Sequence, residues 1–284
     1  MRVLVLGASG MLGNAVYRYL ARDTTLHVFG STRSSMALKH FAGALGKNLL
    51  TGVDVENPDA MVRLFSQARP DVVINCIGLV KQLGEADNPL AALPINALLP
   101  HRIARLCELS KARFIHISTD CVFSGSKGGY KESDLPDAQD LYGRSKLLGE
   151  VDYPHAITLR TSIIGHELDS AHGLVGWFLS QEGSVKGFTK AIFSGLPTVE
   201  LARVIRDFVL PHPELHGVYH VSSDPITKCS LLDLVNREYQ KNLRIDPDNY
   251  LQIDRSLDSE RFKATTGYSA PPWPQLVAQM RAFQ

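Results

Sequence analysis

The 284-residue chain is long enough for one large domain, or a domain with a smaller companion, around a substantial core. Hydrophobic residues make up 44% and charged residues 21%, with a net charge of +1, which is ordinary for a globular protein and lacks the basic excess of a nucleic-acid binder. The four cysteines, Cys76, Cys107, Cys121 and Cys229, match no zinc spacing and read as reduced thiols in the core or near a site.

Val3-Leu4-Val5-Leu6 is wholly apolar, as a strand buried on both faces of a parallel sheet should be. Gly7 stops this run too early for a signal peptide or a membrane span, and no later run is long enough to cross a bilayer. A cytoplasmic protein with no membrane partner is therefore expected. The strand leads into Gly7-Ala8-Ser9-Gly10-Met11-Leu12-Gly13 and a helical pattern through Val16, Tyr17 and Leu20. Glycines at such a turn let a pyrophosphate approach the backbone at the helix's amino end. Gly7, Gly10, Met11 and Leu12 are thus placed at a dinucleotide, although the spacing is Gly-x-x-Gly-x-x-Gly, not the commoner Gly-x-Gly-x-x-Gly.

The second strand is predicted over 26–30. An NAD site would place an acid near its end, but the chain reads Ser31-Thr32-Arg33-Ser34-Ser35, with no acid between Asp23 and Asp54. Arg33 among hydroxyls suits a 2′-phosphate, which favours NADP(H). A strand over 49–53 ends in Asp54-Val55, a helix follows over 58–68, and a strand over 72–74 ends in Asn75-Cys76-Ile77-Gly78. Such carboxyl-end loops border the ligand crevice of a doubly wound sheet, which places Asp54 and Val55 at the adenine and Cys76 and Gly78 beside the cofactor. A long helix within 89–112 bears Asn96. The strand 113–118 then delivers Thr119 to the same rim, with His116 inside it as a packed residue. The order predicts an α/β doubly wound parallel sheet (Rossmann) with a smaller carboxyl-terminal α/β region. Residues 1–160 are assigned to the cofactor and 161–284 mainly to the substrate, with interleaving across an approximate boundary.

The chemistry concentrates in Asp140-Leu141-Tyr142-Gly143-Arg144-Ser145-Lys146. Tyr142 and Lys146, four apart, share one helix face. The ammonium is expected to lower the phenol's pKa, and Thr119 to hold a substrate oxygen against it. Beyond Arg160 the alternation loosens. Trp177, Phe178 and Phe188 are weighed as ring-stacking groups against the more usual core role. Helices are expected over 199–210, 231–239 and 273–283, with a strand over 217–222. His212, His216 and His220 have helical spacing, but Pro211, Pro213 and Gly217 break any helix there, so no metal is expected.

These residues together resemble the extended short-chain dehydrogenase/reductase family. The likeness rests on GASGMLG at 7–13, NCIG at 75–78, ISTDCVFSG at 117–125, YGRSK at 142–146 and LRTSIIG at 159–165. Within it the chain is most similar to dTDP-4-dehydrorhamnose reductases and relatives acting on nucleotide-linked 4-keto-6-deoxysugars, through STDCVF at 118–123, GLPTVELA at 195–202 and LDSERF at 257–262. The resemblance implies that Thr119 bonds the substrate carbonyl and Tyr142 protonates it. Lys146 would bind the nicotinamide ribose, and Asn96 would shape the relay behind the lysine. Asp120, Cys121, Lys81, Thr161 and Trp177 are the expected substrate contacts. Cys121 and Ile163 replace residues usually aromatic in that group, and 77–82 replaces an alanine-rich segment, which implies a differently shaped sugar pocket. A UDP-linked 2-acetamido sugar fits that as well as the dTDP sugar. The rival readings are an NDP-sugar epimerase and an NADP-binding regulatory subunit, and the resemblance allows a homodimer.

Overall fold

The computed structural model describes residues 1–80 and 87–284. Its first six strands are β1 (Arg2–Leu6), β2 (His27–Ser31), β3 (Leu49–Leu50), β4 (Val72–Asn75), β5 (Arg113–Thr119) and β6 (Ala156–Thr161). After them come β7 (Ile163–Ile164), β8 (Ser184–Phe193), β9 (Leu196–Pro197), β10 (Gly217–His220), β11 (Ile226–Thr227) and β12 (Arg244–Asp254). Seven of these form one sheet in the order β10-β6-β5-β4-β1-β2-β3, and every pairing within it is parallel. The order reverses between β1 and β4, and the crevice beyond the carboxyl ends of those two strands is where such sheets take ligands.

Period-two alternation divides the apolar strands between two cores. Val3, Val5, Ile115 and Ile117 face one side, where they pack under the helices Met11–Leu20 and Trp273–Ala282. Leu4, Leu6, Val73 and Phe114 face the other, under Pro58–Ala68 and Leu99–Ser110. With both faces covered, the middle of each strand must be apolar, and Val3–Leu6 of β1 and Val72–Ile74 of β4 are. Among the described residues no helix is long and apolar enough to cross a membrane.

A second sheet of three strands, β11-β8-β12, carries the later part of the chain. β8 and β12 run parallel, with an irregularity between Asp248 and Gln252. The end of β12 is stitched to the segment after β5: Asp254 N–H donates to the Gly125 carbonyl at 2.8 Å, and Tyr130 N–H donates to that of Ser256 at 2.8 Å.

Several boundaries differ from expectation. β3 stops at Leu50 rather than at residue 53, because it pairs only with the end of β2 and the chain then turns at Gly52 (φ +72°). The helix over 199–210 is α-helical only for Thr198–Val204 and continues as a π turn over Ile205–Val209. β12 has no counterpart in the sequence reading. Its composition is polar and includes Pro247, so neither alternation nor an apolar run announces it.

Candidate active site

The first turn of the sheet fits a dinucleotide phosphate. Gly7 has φ +79°, and a Cβ there would lie 2.8 Å from Ile77 Cγ1, so β1 and β4 can pass closely only at glycine. Gly10 caps the helix Met11–Leu20 with no side-chain hydrogen bond, which leaves the amino-terminal N–H groups to a ligand. Arg33 is exposed just beyond β2, next to buried Ser31 and Thr32. Val53 N–H donates to the Thr32 carbonyl at 3.0 Å and brings Asp54 and Val55 to that corner.

The neighbouring rim holds the reactive groups. β5 ends in Ser118 and Thr119, and the Thr119 hydroxyl accepts from the Cys121 N–H at 3.2 Å and donates to Asp120 Oδ1 at 3.2 Å. The helix Leu141–Leu148 is capped by Asp140, whose Oδ1 accepts from the Gly143 N–H at 2.7 Å. Two glycines fix its seat: a Cβ on Gly143 would collide with the Cys121 carbonyl, and one on Gly149 with that of Asn96. Asn96 itself sits in a π turn, Leu93–Leu98, inside the long helical run Pro89–Ser110. Its amide accepts from the Leu79 N–H at 2.9 Å and donates to the Leu79 carbonyl at 3.1 Å and to Ser145 Oγ at 3.2 Å. Lys146 Nζ donates to the Ile117 carbonyl at 2.7 Å, and the Cβ position of Gly78 lies 3.4 Å from Asn96 Oδ1 and 3.9 Å from Lys146 Nζ. The strand ends and the Tyr-Lys helix thus meet at one place.

Burial sets the electrostatics there. It holds the Lys146 ammonium down to about 8, while the charge of Glu150 and then Cys76 work in the opposite direction. Burial pushes the Cys76 thiol up to about 12, against the pull of Lys146, and pushes Cys121 to about 12 as well, helped by Asp120. The Asp120 carboxyl is raised by burial, with Arg255 the first of the groups opposing it and Lys228 among the rest. Tyr142 departs from expectation: its pKa goes up, not down. Burial raises it, Cys121 adds to the rise, and the Thr119 hydroxyl opposes. Lys146 is not among the leading influences on the phenol, and its ammonium is directed to the Ile117 carbonyl. A phenol that keeps its proton is suited to give it to an oxygen acquiring charge.

Thr161 is the register partner of Thr119 on β6 and stands buried beside it, its hydroxyl bonded to the Ser162 carbonyl at 3.1 Å. Phe178 is wholly buried core, whereas its neighbour Trp177 is 38% exposed. Among the described residues no hydrogen bond or ring contact ties Trp177 to the Thr119–Tyr142 group. Lys81 lies outside the described residues. His116 is buried in β5, its Nδ1 3.2 Å from the Asn75 amide and its basicity depressed by burial and then by Lys146. The three spaced histidines part company: His212 meets Glu214 in a loop, and His220 is buried in β10. The sequence reading missed Arg255, Lys228, Glu150 and Arg160, whose influence on the site comes from partners they meet only in the fold. A cavity of about 270 Å³ beside Asn14, Arg18, His166 and Phe283 holds none of the predicted residues.

The family profile described as RmlD substrate binding domain matches residues 1–282. The chain belongs to that family. It is 35% identical over 182 residues, 62% of its own length, to the probable low-salt glycan biosynthesis reductase Agl14 of Haloferax volcanii. It is 33% identical over 170 residues, 57% of its length, to the dTDP-4-dehydrorhamnose reductase of Mycobacterium tuberculosis. The chain spans only 58% and 49% of the lengths of those two relatives. With the methionine adenosyltransferase 2 subunit beta of Danio rerio it shares 30% identity over 254 residues, 83% of this chain and 74% of that protein. Among solved structures, a hypothetical dTDP-4-dehydrorhamnose reductase from Sulfolobus tokodaii superposes with a TM-score of 0.77 at 26% identity, covering 96% of this chain and 98% of that one. The dTDP-4-dehydrorhamnose reductase of Bacillus anthracis in complex with NADP gives a TM-score of 0.79 at 21% identity, covering 99% and 98%, and shows the shared fold.

Proposed function

We propose that this protein is an NADP(H)-dependent reductase of the 4-keto group of a nucleotide-linked 6-deoxysugar, serving surface polysaccharide precursor synthesis. The observation that carries the reading is the convergence of Thr119, Tyr142 and Lys146 at the carboxyl rim, beside the crevice where the strand order reverses. The open amino end of Met11–Leu20 and the exposed Arg33 fit a dinucleotide with a 2′-phosphate, which Gly7, Gly10, Met11, Leu12, Asp54, Val55, Cys76, Gly78 and Asn96 would flank. When bound, NADPH supplies the hydride. Thr119 holds the carbonyl oxygen, Tyr142 gives it a proton as charge develops, and Lys146 holds the ribose side of the site. Residues 161–284 mainly supply the sugar-side wall, with Asp120, Cys121 and Thr161 on its near edge.

Both the dTDP 4-ketosugar and a UDP-linked 2-acetamido 4-ketosugar are candidates, and the small Cys121 side chain favours room for a 2-acetamido group. A second reading, an NADP-binding regulatory subunit, draws support from the likeness to methionine adenosyltransferase 2 subunit beta. Oxidation of NADPH with each sugar in turn, NADH in parallel, separates these readings. Turnover that falls about a thousandfold in Tyr142→Phe while NADPH still binds is the expected result. Tight NADPH binding with no turnover of either sugar would favour the subunit.

A further inference from the structure

The helix that carries Tyr142 and Lys146 leads, one turn later, into a buried ion pair. Arg160 donates from Nε to Glu150 Oε1 at 2.7 Å and from Nη2 to Oε2 at 2.6 Å, and the two side chains are only 6% and 7% exposed. Taking two charges out of water is expensive, and apolar residues of similar volume commonly do as well or better for stability. Stability is therefore a weak reason for the pair, and its surroundings suggest a different one.

The Ser118 hydroxyl donates to Glu150 Oε1 at 2.6 Å, and Ser118 is the β5 residue in register with Arg160 on β6. Its next neighbour is Thr119. Glu150 lies just past the end of the Lys146 helix, Lys146 Nζ donates to the carbonyl of Ile117, the residue before Ser118, and the charge of Glu150 is the leading influence that favours the ammonium. On the far side, Arg160 Nη1 lies 3.3 Å from His220 Nε2. Since an arginine can only donate, Nε2 accepts and the proton sits on Nδ1, which donates to the Tyr130 carbonyl at 3.0 Å. His220 is therefore a neutral strut, and Glu132 Oε1 accepts from its backbone N–H at 2.8 Å.

We propose that Glu150, held by Arg160, is a positioning residue for the reduction: it supplies the counter-charge to Lys146 and anchors Ser118, and through it Thr119, at the rim. The catalytic half of this statement rests on the reductase reading; the effect on Lys146 does not. Among the described residues, the other titratable or charged groups around Lys146 are Cys76 from the end of β4, His116 from β5 and Tyr142 one turn earlier on its own helix, with Arg160 behind Glu150. Burial draws the lysine's proton off and Glu150 retains it. Without that carboxylate the proton leaves at lower pH, so any property that needs the ammonium fails earlier on the alkaline side.

The test compares the wild type with Glu150→Gln, Glu150→Asp and a double variant, Glu150→Leu with Arg160→Met, which leaves no orphan charge. NADPH affinity is followed by fluorescence across pH, together with kcat and KM for the 4-ketosugar. The alkaline limb of NADPH binding should move to lower pH by about one unit in Glu150→Gln and in the double variant, and return toward the wild-type position in Glu150→Asp. Values of kcat should fall about tenfold, with KM changed less. A double variant that melts like the wild type and keeps the wild-type limb would overturn the proposal. Failure of both Glu150→Gln and the double variant to fold would assign the pair to the fold alone and overturn it too. If the wild type reduced no 4-ketosugar, the reductase reading would fall, and the NADPH limb would still decide the role of Glu150.

Discussion

The two sheets of this protein hold their shape by different means. In the seven-stranded sheet, Val3–Leu6 of β1 and Val72–Ile74 of β4 are apolar and buried on both faces, so position follows from exclusion of water. In the three-stranded sheet, β12 is half exposed and polar, and it is located by its ladder to β8 and by backbone bonds to 125–130. The difference teaches where precision is enforced. The groups at the rim of the first sheet project from a dry core that tolerates little change, whereas the exposed positions of β12 leave room for other side chains.

That contrast is open to direct attack. Phe114 is fully buried in β5, five residues before Thr119, and Phe114→Ala should lower stability by about 3–5 kcal/mol in urea melts. A loss below about 1 kcal/mol would mean that the first sheet is no drier in its demands than the second. Arg33 tests the open rim beyond β2: exposed and outside either core, its replacement by alanine should weaken NADPH binding about tenfold, leave NADH binding unchanged and leave the melting temperature in place. Equal loss for both nucleotides would remove Arg33 from the 2′-phosphate. Tyr250 in β12 is 89% exposed, and Tyr250→Ser should shift stability by no more than about 0.5 kcal/mol. A larger loss would show that the second sheet depends on side-chain packing after all.

The same contrast explains what the sequence disclosed. β1 and its glycine turn, the Tyr-Lys helix and the strand leading to Thr119 are legible because apolar runs, glycines and i, i+4 spacing are local signals. β12 was not legible, since a polar strand held by its partner carries no such pattern. Nor were Glu150, Arg160, Lys228 and Arg255: Arg160 meets Glu150 only once β6 has doubled back, and Arg255 reaches the Phe123 carbonyl, at 2.8 Å, across most of the second half of the chain. The phenol's direction of shift was misjudged because its burial comes from tertiary packing, while the neighbouring lysine is visible in sequence.

β10 carries a consequence for how this chain comes into being. Its four residues lie parallel to β6, with Gly217 opposite Ile157 and His220 opposite Arg160. On the ribosome, β6 can be made and can dock on β5 long before its outer neighbour emerges. Until residue 220 is free, the nascent sheet shows an unpaired parallel edge of the kind that recruits other chains. The pairing that ends this exposure spans a long stretch of intervening chain and is correspondingly slow to form. Cotranslational aggregation, and any dependence on chaperones that bind extended segments, should therefore concentrate in the interval between synthesis of β6 and arrival of β10.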